Sequence, residues 1–223
     1  MNCLYQLLVM LFLFSSSVVN GQLRPVDLQN GDLLFRTKAT SSLGGAIDAV
    51  TQTAGKTHFS HVGIVEWQKG SVSVLHASPE GGSCQVALSQ FFTDDGQEHR
   101  VVVYRLKSAF RKYIPAALER AHSMLGKPYN FSYIMTDTAY YCSDFVYRCF
   151  EPDSVFQLQP MTFINPRTGK TDKEWAGYYH RLGIAVPEKE PGCNPNGMAA
   201  SVHLQRVGEL KGDSVAVSKA LKF

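Results

Sequence analysis

The sequence predicts an α+β domain, on three observations. β-type runs fill the first half: Leu33-Leu34-Phe35, His61 to Trp67, Val72 to Ala77 and Arg100 to Leu106. Helical spacing takes over later, through Ile114, Leu118, Ala121 and Leu125 and again from Tyr141 to Phe150. No regular strand–helix–strand alternation links the two kinds of segment, which argues against a parallel α/β sheet. A chain of 223 residues with 44% hydrophobic and 11% aromatic composition has enough apolar surface for the core of one domain. Charged residues at 18% are too few for a disordered chain. The net charge of +3, with Lys and Arg scattered rather than clustered, excludes nucleic acid from the expected partners.

The first segment stands apart from the fold. Leu4 to Phe14 is almost wholly apolar and leads into Ser15, Ser16, Ser17, Val18, Val19, Asn20 and Gly21. A short apolar run followed by small residues reads as a secretory signal peptide over 1–21, cleaved after Gly21. It falls well short of the ~20 residues that span a bilayer. The expectation is therefore an exported, periplasmic or extracellular domain over 22–223, with no stable membrane insertion after cleavage. Cys84, Cys142, Cys149 and Cys193 remain in it, an even number that permits disulfides. No Cys-x-x-Cys pair occurs, so no zinc site is expected, and no cofactor motif is present.

Along the mature chain, Asn30-Gly31-Asp32 is a turn signal before the first strand. Thr37 to Thr57 is rich in Thr, Ser, Gly and Ala, with a helix expected over Ala46 to Gln52. The two runs flanking Gln68-Lys69-Gly70-Ser71 read as a β-hairpin. A helix over Ala109 to Leu125 stops at Gly126, and a second runs from Tyr141 to Phe150. From Glu151 onward Pro, Gly and Asn become frequent, and 151–200 reads as a segment covering the domain. Within it Asn165 to Lys170 is a loop, and Trp175, Tyr178, Tyr179 and Leu182 mark a short aromatic helix. Pro187 to Gly197 reads as irregular chain, and the last dozen residues are expected to fray.

The hairpin carries geometric information. With the turn at 68–71, Trp67 faces Val72, and facing residues have numbers summing to 139. His61 then faces Ser78, and His76 lies diagonally beside His61 on the same sheet face, about 7 Å away. Glu66 falls on the opposite face. Two imidazoles so paired suit a general base and the group that orients it, although a single histidine is more often structural. Cys142 begins a helix, where the macrodipole and unpaired N–H groups favour a thiolate and can hold an oxyanion. A buried cysteine acting as a small hydrophobe is the plain alternative, and Cys149, two turns on, suits it.

These pieces together resemble one family. Asn30-Gly31-Asp32-Leu33-Leu34-Phe35, Thr57-His58-Phe59-Ser60-His61-Val62-Gly63-Ile64-Val65, Val74-Leu75-His76-Ala77, Gly126-Lys127-Pro128-Tyr129-Asn130 and Tyr141-Cys142-Ser143-Asp144-Phe145-Val146-Tyr147 span most of residues 30 to 150. They are similar to the permuted branch of the NlpC/P60 papain-like cysteine hydrolases, the YiiX/YaeF-like group. The resemblance implies a circularly permuted papain-like fold, an antiparallel sheet or small barrel packed against helices. It implies Cys142 as nucleophile, His61 as base and His76 as orienter, where many relatives carry Glu. Tyr129, Tyr141, Ser143 and Asp144 are the substrate or oxyanion candidates, and no metal is expected. The implied substrate is a small peptide, possibly from the cell wall, or an acyl amide. Two other readings stand beside it. One is a lipid acyltransferase or thioesterase like the lecithin:retinol acyltransferase type, which an apolar channel lined by Phe145, Phe156 or Phe163 would favour. The other is a non-catalytic binding module, which a Cys142 disulfide with Cys149 or Cys84 would favour.

Overall fold

The computed structural model describes residues 22–37, 50–51, 58–68, 70–93 and 99–210. The signal-peptide reading of 1–21, most of the helix expected over Ala46 to Gln52 and the last dozen residues lie outside them. The described chain is built on a seven-stranded sheet in the order β1-β11-β6-β2-β3-β4-β5. Its strands are β1 (Gln22–Leu23), β2 (Leu33–Thr37), β3 (His61–Gln68), β4 (Ser71–Ser78), β5 (Gly82–Ala87), β6 (Arg100–Leu106) and β11 (Leu204–Leu210). All neighbours are antiparallel except β1 and β11.

Both faces of the sheet are buried, which explains why its central strands read as continuous apolar runs. On β2, Leu33 and Phe35 join one core while Leu34 joins the other. On β6, Val102 faces the first core, and Val101 and Val103 face the second. Two helices cover the first face: α2 (Ile114–Ser123) and α3 (Cys142–Phe150), through Ala117, Leu118, Ala121, Phe145, Val146 and Phe150. The short α1 (Leu88–Phe92) covers the second with Phe91 and Phe92.

The Asn30-Gly31-Asp32 turn is fixed from three sides. Gly31 has φ +79, and a Cβ there would lie 2.6 Å from the Ile114 side chain, so both the backbone and the space call for glycine. Asp32, fully buried, accepts from Arg105 Nε and Nη2 at 2.6 and 2.7 Å, a bidentate pair. Asn30 Oδ1 accepts the Trp67 N–H at 2.6 Å, tying the turn to β3.

The β3–β4 hairpin has the expected register, with Trp67 opposite Val72 and Gln68 opposite Ser71. The helix expected from Ala109 begins later: Ser108–Tyr113 is 3₁₀ and the α-helix starts at Ile114. Pro115 accounts for this, because a residue without an N–H fits only the first turn of a helix. The C-terminal half holds more structure than its composition suggested. The segment 187–197 includes β10 (Pro191–Gly192), which pairs with β7 (Gln159–Pro160), and the start of α5 (Pro195–Ala199). The loop at 165–170 joins β8 (Ile164–Asn165) to β9 (Lys170–Thr171), and the aromatic helix is α4 (Lys173–Leu182).

Candidate active site

His61 and His76 meet as the hairpin geometry requires. His61 Nε2 and His76 Nδ1 are 2.7 Å apart, with the rings edge to face and their centroids separated by 5.0 Å. Both are buried, and Phe91 of α1 packs against both rings, at 5.6 and 5.3 Å. Across this contact one imidazole donates and the other accepts, so the two tautomers are set together. Glu66 lies on the other face, where it accepts from His122 of α2 at 2.9 Å.

Cys142 is the first residue of α3, and Tyr141 before it makes no side-chain cap. The first N–H groups of the helix are therefore open. The backbone N–H groups of Val62, next in sequence to His61, and of Ser143 favour the ionised form of the Cys142 thiol. Arg36, buried and paired with His61 across the β2–β3 ladder, adds a positive charge felt by the same thiol. These groups favour the thiolate, but burial outweighs them and pushes the Cys142 thiol up to about 11. The helix-start expectation of a standing thiolate gives way to a neutral thiol. Cys84, Cys142, Cys149 and Cys193 are all free thiols in the structure.

Cys142 opens onto a cavity with aromatic walls: Tyr129, Tyr133 and Tyr141 on one side, Phe163 and Trp175 on another. Ser60, Ser143, Gln159, Met161, Thr162 and residues 192–195 also line it. The segment from 151 thus contributes a wall through β7, β10 and α4. Tyr133 sits at φ +58, a left-handed conformation that costs a tyrosine about 1–3 kcal/mol. Its ring stands 5.4 Å from Tyr141, 5.6 Å from Trp175 and 6.1 Å from Tyr178. Burial drives the Tyr129 and Tyr133 phenols far upward, so both remain proton donors beside the thiol.

The other candidates separate. Tyr129, Tyr141 and Ser143 line the cavity. The Tyr141 hydroxyl accepts the Cys193 N–H at 3.2 Å, and Ser143 Oγ donates to the Cys193 carbonyl at 3.1 Å. Asp144 does not line the cavity. It is fully buried, with Oδ1 accepting from Arg148 Nε at 2.8 Å, and burial raises its carboxyl to about 7. Phe145 and Phe156 belong to the core, and only Phe163 of the three expected channel residues faces the cavity. Sequence reasoning passed over Arg36, Tyr133 and Asn196. The last accepts the Phe59 N–H at 2.7 Å, holding the approach to His61 against α5. Arg36 alone had a readable signal, since strand pairing sets it opposite His61.

Residues 27–208 match the family described as permuted papain-like amidase enzyme, YaeF/YiiX, C92 family. The chain belongs to the permuted papain-like amidases. Like other members it is a cysteine peptidase or amidase-type hydrolase, and the chain order, with the hairpin histidines before the cysteine helix, is that of a permuted papain-like fold. The uncharacterized protein YiiX of Escherichia coli K12 is 27% identical over 182 residues, covering 81% of this chain and 86% of that protein. A solved structure described as the metalloprotein YiiX from Escherichia coli O157:H7 superposes with a TM-score of 0.64 at 23% identity. It covers 81% of this chain and 97% of its own, a likeness of fold.

Proposed function

We propose that this amidase works through Cys142, His61 and His76, hydrolysing an amide bond in a small peptide by way of a thioester. The observation that carries the reading is the 2.7 Å His61–His76 bond, next in the chain to Val62, whose N–H favours the Cys142 thiolate. Because the thiol is neutral at rest, it gives up its proton as it attacks. His61 Nδ1 takes that proton while the sulfur bonds to the carbonyl carbon. The open N–H groups at the start of α3, with the Tyr129 hydroxyl, face the oxyanion. Collapse expels the amine, protonated by His61. A water deprotonated by His61 then cleaves the thioester, releasing the acid and restoring the thiol.

The leader-like composition of 1–21 supports export, and cell-wall peptides are the amides an exported enzyme meets. No helix among the described residues is long and apolar enough to cross a membrane. Among the described residues no three His, Cys, Asp or Glu side chains come together for a metal. The cavity wall favours a second reading. Tyr129, Tyr133, Phe163 and Trp175 suit an apolar or aromatic acyl group, which keeps lipid acyl amides and thioesters among the substrates to be tried.

The test is iodoacetamide labelling of the reduced protein, mapped by mass spectrometry across pH 5 to 11. With His61 as base, Cys142 is expected to label at pH values well below the thiol's own value of about 11. In His61→Ala the thiol must ionise alone, and labelling should move toward its own value of about 11. Hydrolysis of peptides and acyl amides would follow the same two profiles. Identical profiles for both proteins would overturn the triad, and an unreactive Cys142 would leave a binding module.

A further inference from the structure

Two thiols face the cavity, and the amidase mechanism uses one. Cys193 lies between β10 and α5 in the wall, held by the residues on either side of the nucleophile. Its N–H donates to the Tyr141 hydroxyl at 3.2 Å, its sulfur is 3.8 Å from that oxygen, and its carbonyl accepts from Ser143 at 3.1 Å. Cys142 thus has a second sulfur fastened across the cavity from it. Neither remaining cysteine shares this position. Cys149 is buried two turns along α3, its thiol donating to the Phe145 carbonyl at 3.2 Å. Cys84 lies on β5, outside the cavity lining.

We propose that Cys193 is a resolving cysteine, which captures the oxidised nucleophile as a reversible Cys142–Cys193 disulfide when a hydroperoxide enters the cavity. The inference rests on Cys142 being the reactive thiol of the preceding section. In the first step His61 takes the Cys142 proton and the sulfur attacks the peroxide oxygen. The O–O bond breaks, the sulfur is oxidised to a sulfenic acid, and the leaving oxygen collects the proton as water or an alcohol. In the second, the Cys193 sulfur attacks the sulfenic sulfur. The S–O bond breaks, and the hydroxyl leaves as water with the Cys193 proton. Two thiols and one hydroperoxide become one disulfide, one water and one alcohol or second water.

The position of Cys193 fits the second step better than the first. Burial pushes its thiol up to about 12, and the ionised forms of Cys142 and Asp144 push it the same way. It is thus a poor first target for peroxide, but it lines the same cavity as the sulfenic acid once that forms. The consequence is protective, since a sulfenic acid without a partner proceeds irreversibly to sulfinic acid. Tyr141 and Ser143, on either side of Cys142, each hydrogen-bond to Cys193.

The experiment treats the full reduced chain with hydrogen peroxide, quenches it, and maps the cysteines by mass spectrometry without reduction. Cys193→Ser and Cys193→Ala are run in parallel, with circular dichroism establishing that each is folded. The expected result is a cross-linked peptide pair containing Cys142 and Cys193, with iodoacetamide labelling of Cys142 restored by a thiol reductant. In both variants Cys142 should pass to sulfinic acid, and reductant should restore nothing. Cys142 oxidised to sulfinic acid in the unmodified chain, or bonded instead to Cys149 or Cys84, would overturn the proposal. Failure of Cys142 to label before any peroxide is added would instead strike the triad itself, so the two failures are separate.

Discussion

His76 occupies a place where similar proteins often carry a carboxylate, and the difference has a measurable sign. As the proposed orienter, a neutral imidazole can accept an N–H as a carboxylate does, but it stabilises the imidazolium less. Removing the acceptor in His76→Ala should slow hydrolysis by about 10²-fold, the low end of what a positioned base contributes. His76→Glu should retain activity and raise the pKa of His61. Since His61 must be neutral to accept the thiol proton, the acid limb of kcat/KM should move to higher pH. An acid limb that stays in place would show that His76 does not act through His61. The pair was legible at this scale because strand alternation fixes which side chains share a face. Asn196 was not, because it acts through a partner far along the chain, the Phe59 N–H.

Among the elements, the hairpin sets the site, and its close packing is concentrated at one residue. A Cβ on Gly63 would lie 2.6 Å from Val74 Cγ1, 3.1 Å from Phe91 Cε2 and 3.2 Å from His76 Cβ. Those neighbours hold the imidazole pair from behind, so Gly63→Ala pushes on the orienter without touching substrate. The expected cost is about 1–3 kcal/mol in urea unfolding, with slower labelling of Cys142. Adding Val74→Ala removes the closest clash and should restore part of both, a coupling that a double-mutant cycle reads directly. Independent losses, adding without recovery, would mean that Gly63 matters only as backbone. The hairpin register could be read because Gly70, at φ +79, closes a short turn with no bulge in the paired residues. Strand β11 could not be read. Leu204-Gln-Arg-Val-Gly-Glu-Leu mixes polar and apolar residues, and its register shifts between Arg206 and Gly208, which breaks the alternation. Strand β5, Gly-Ser-Cys-Gln-Val-Ala, has too few strand-forming side chains to stand out.

At the scale of the whole molecule, β11 closes the fold by joining its two ends. It lies between β6 and β1, antiparallel to one and parallel to the other, and buries Leu204 and Leu210. The cavity wall built by 159–195 runs between α3 and this strand, so it is anchored at both ends. Ending the chain at His203 would leave β1 without a partner and expose the inner edge of β6, whose centre is Val101-Val102-Val103. Pairings between such distant segments form late and make the rest cooperative. The truncated chain should therefore lose its single urea transition, which circular dichroism would show. The cysteines give a sharper reading of the same event. Burial holds Cys142 at about 11 and Cys193 at about 12, so loss of the wall should lower both toward the free-thiol value of about 8.5. All four cysteines should then label alike near pH 8.5, independently of His61. If the truncated chain instead keeps a cooperative transition and selective labelling of Cys142, the sheet holds the site without its last strand, and the wall depends on α3 alone.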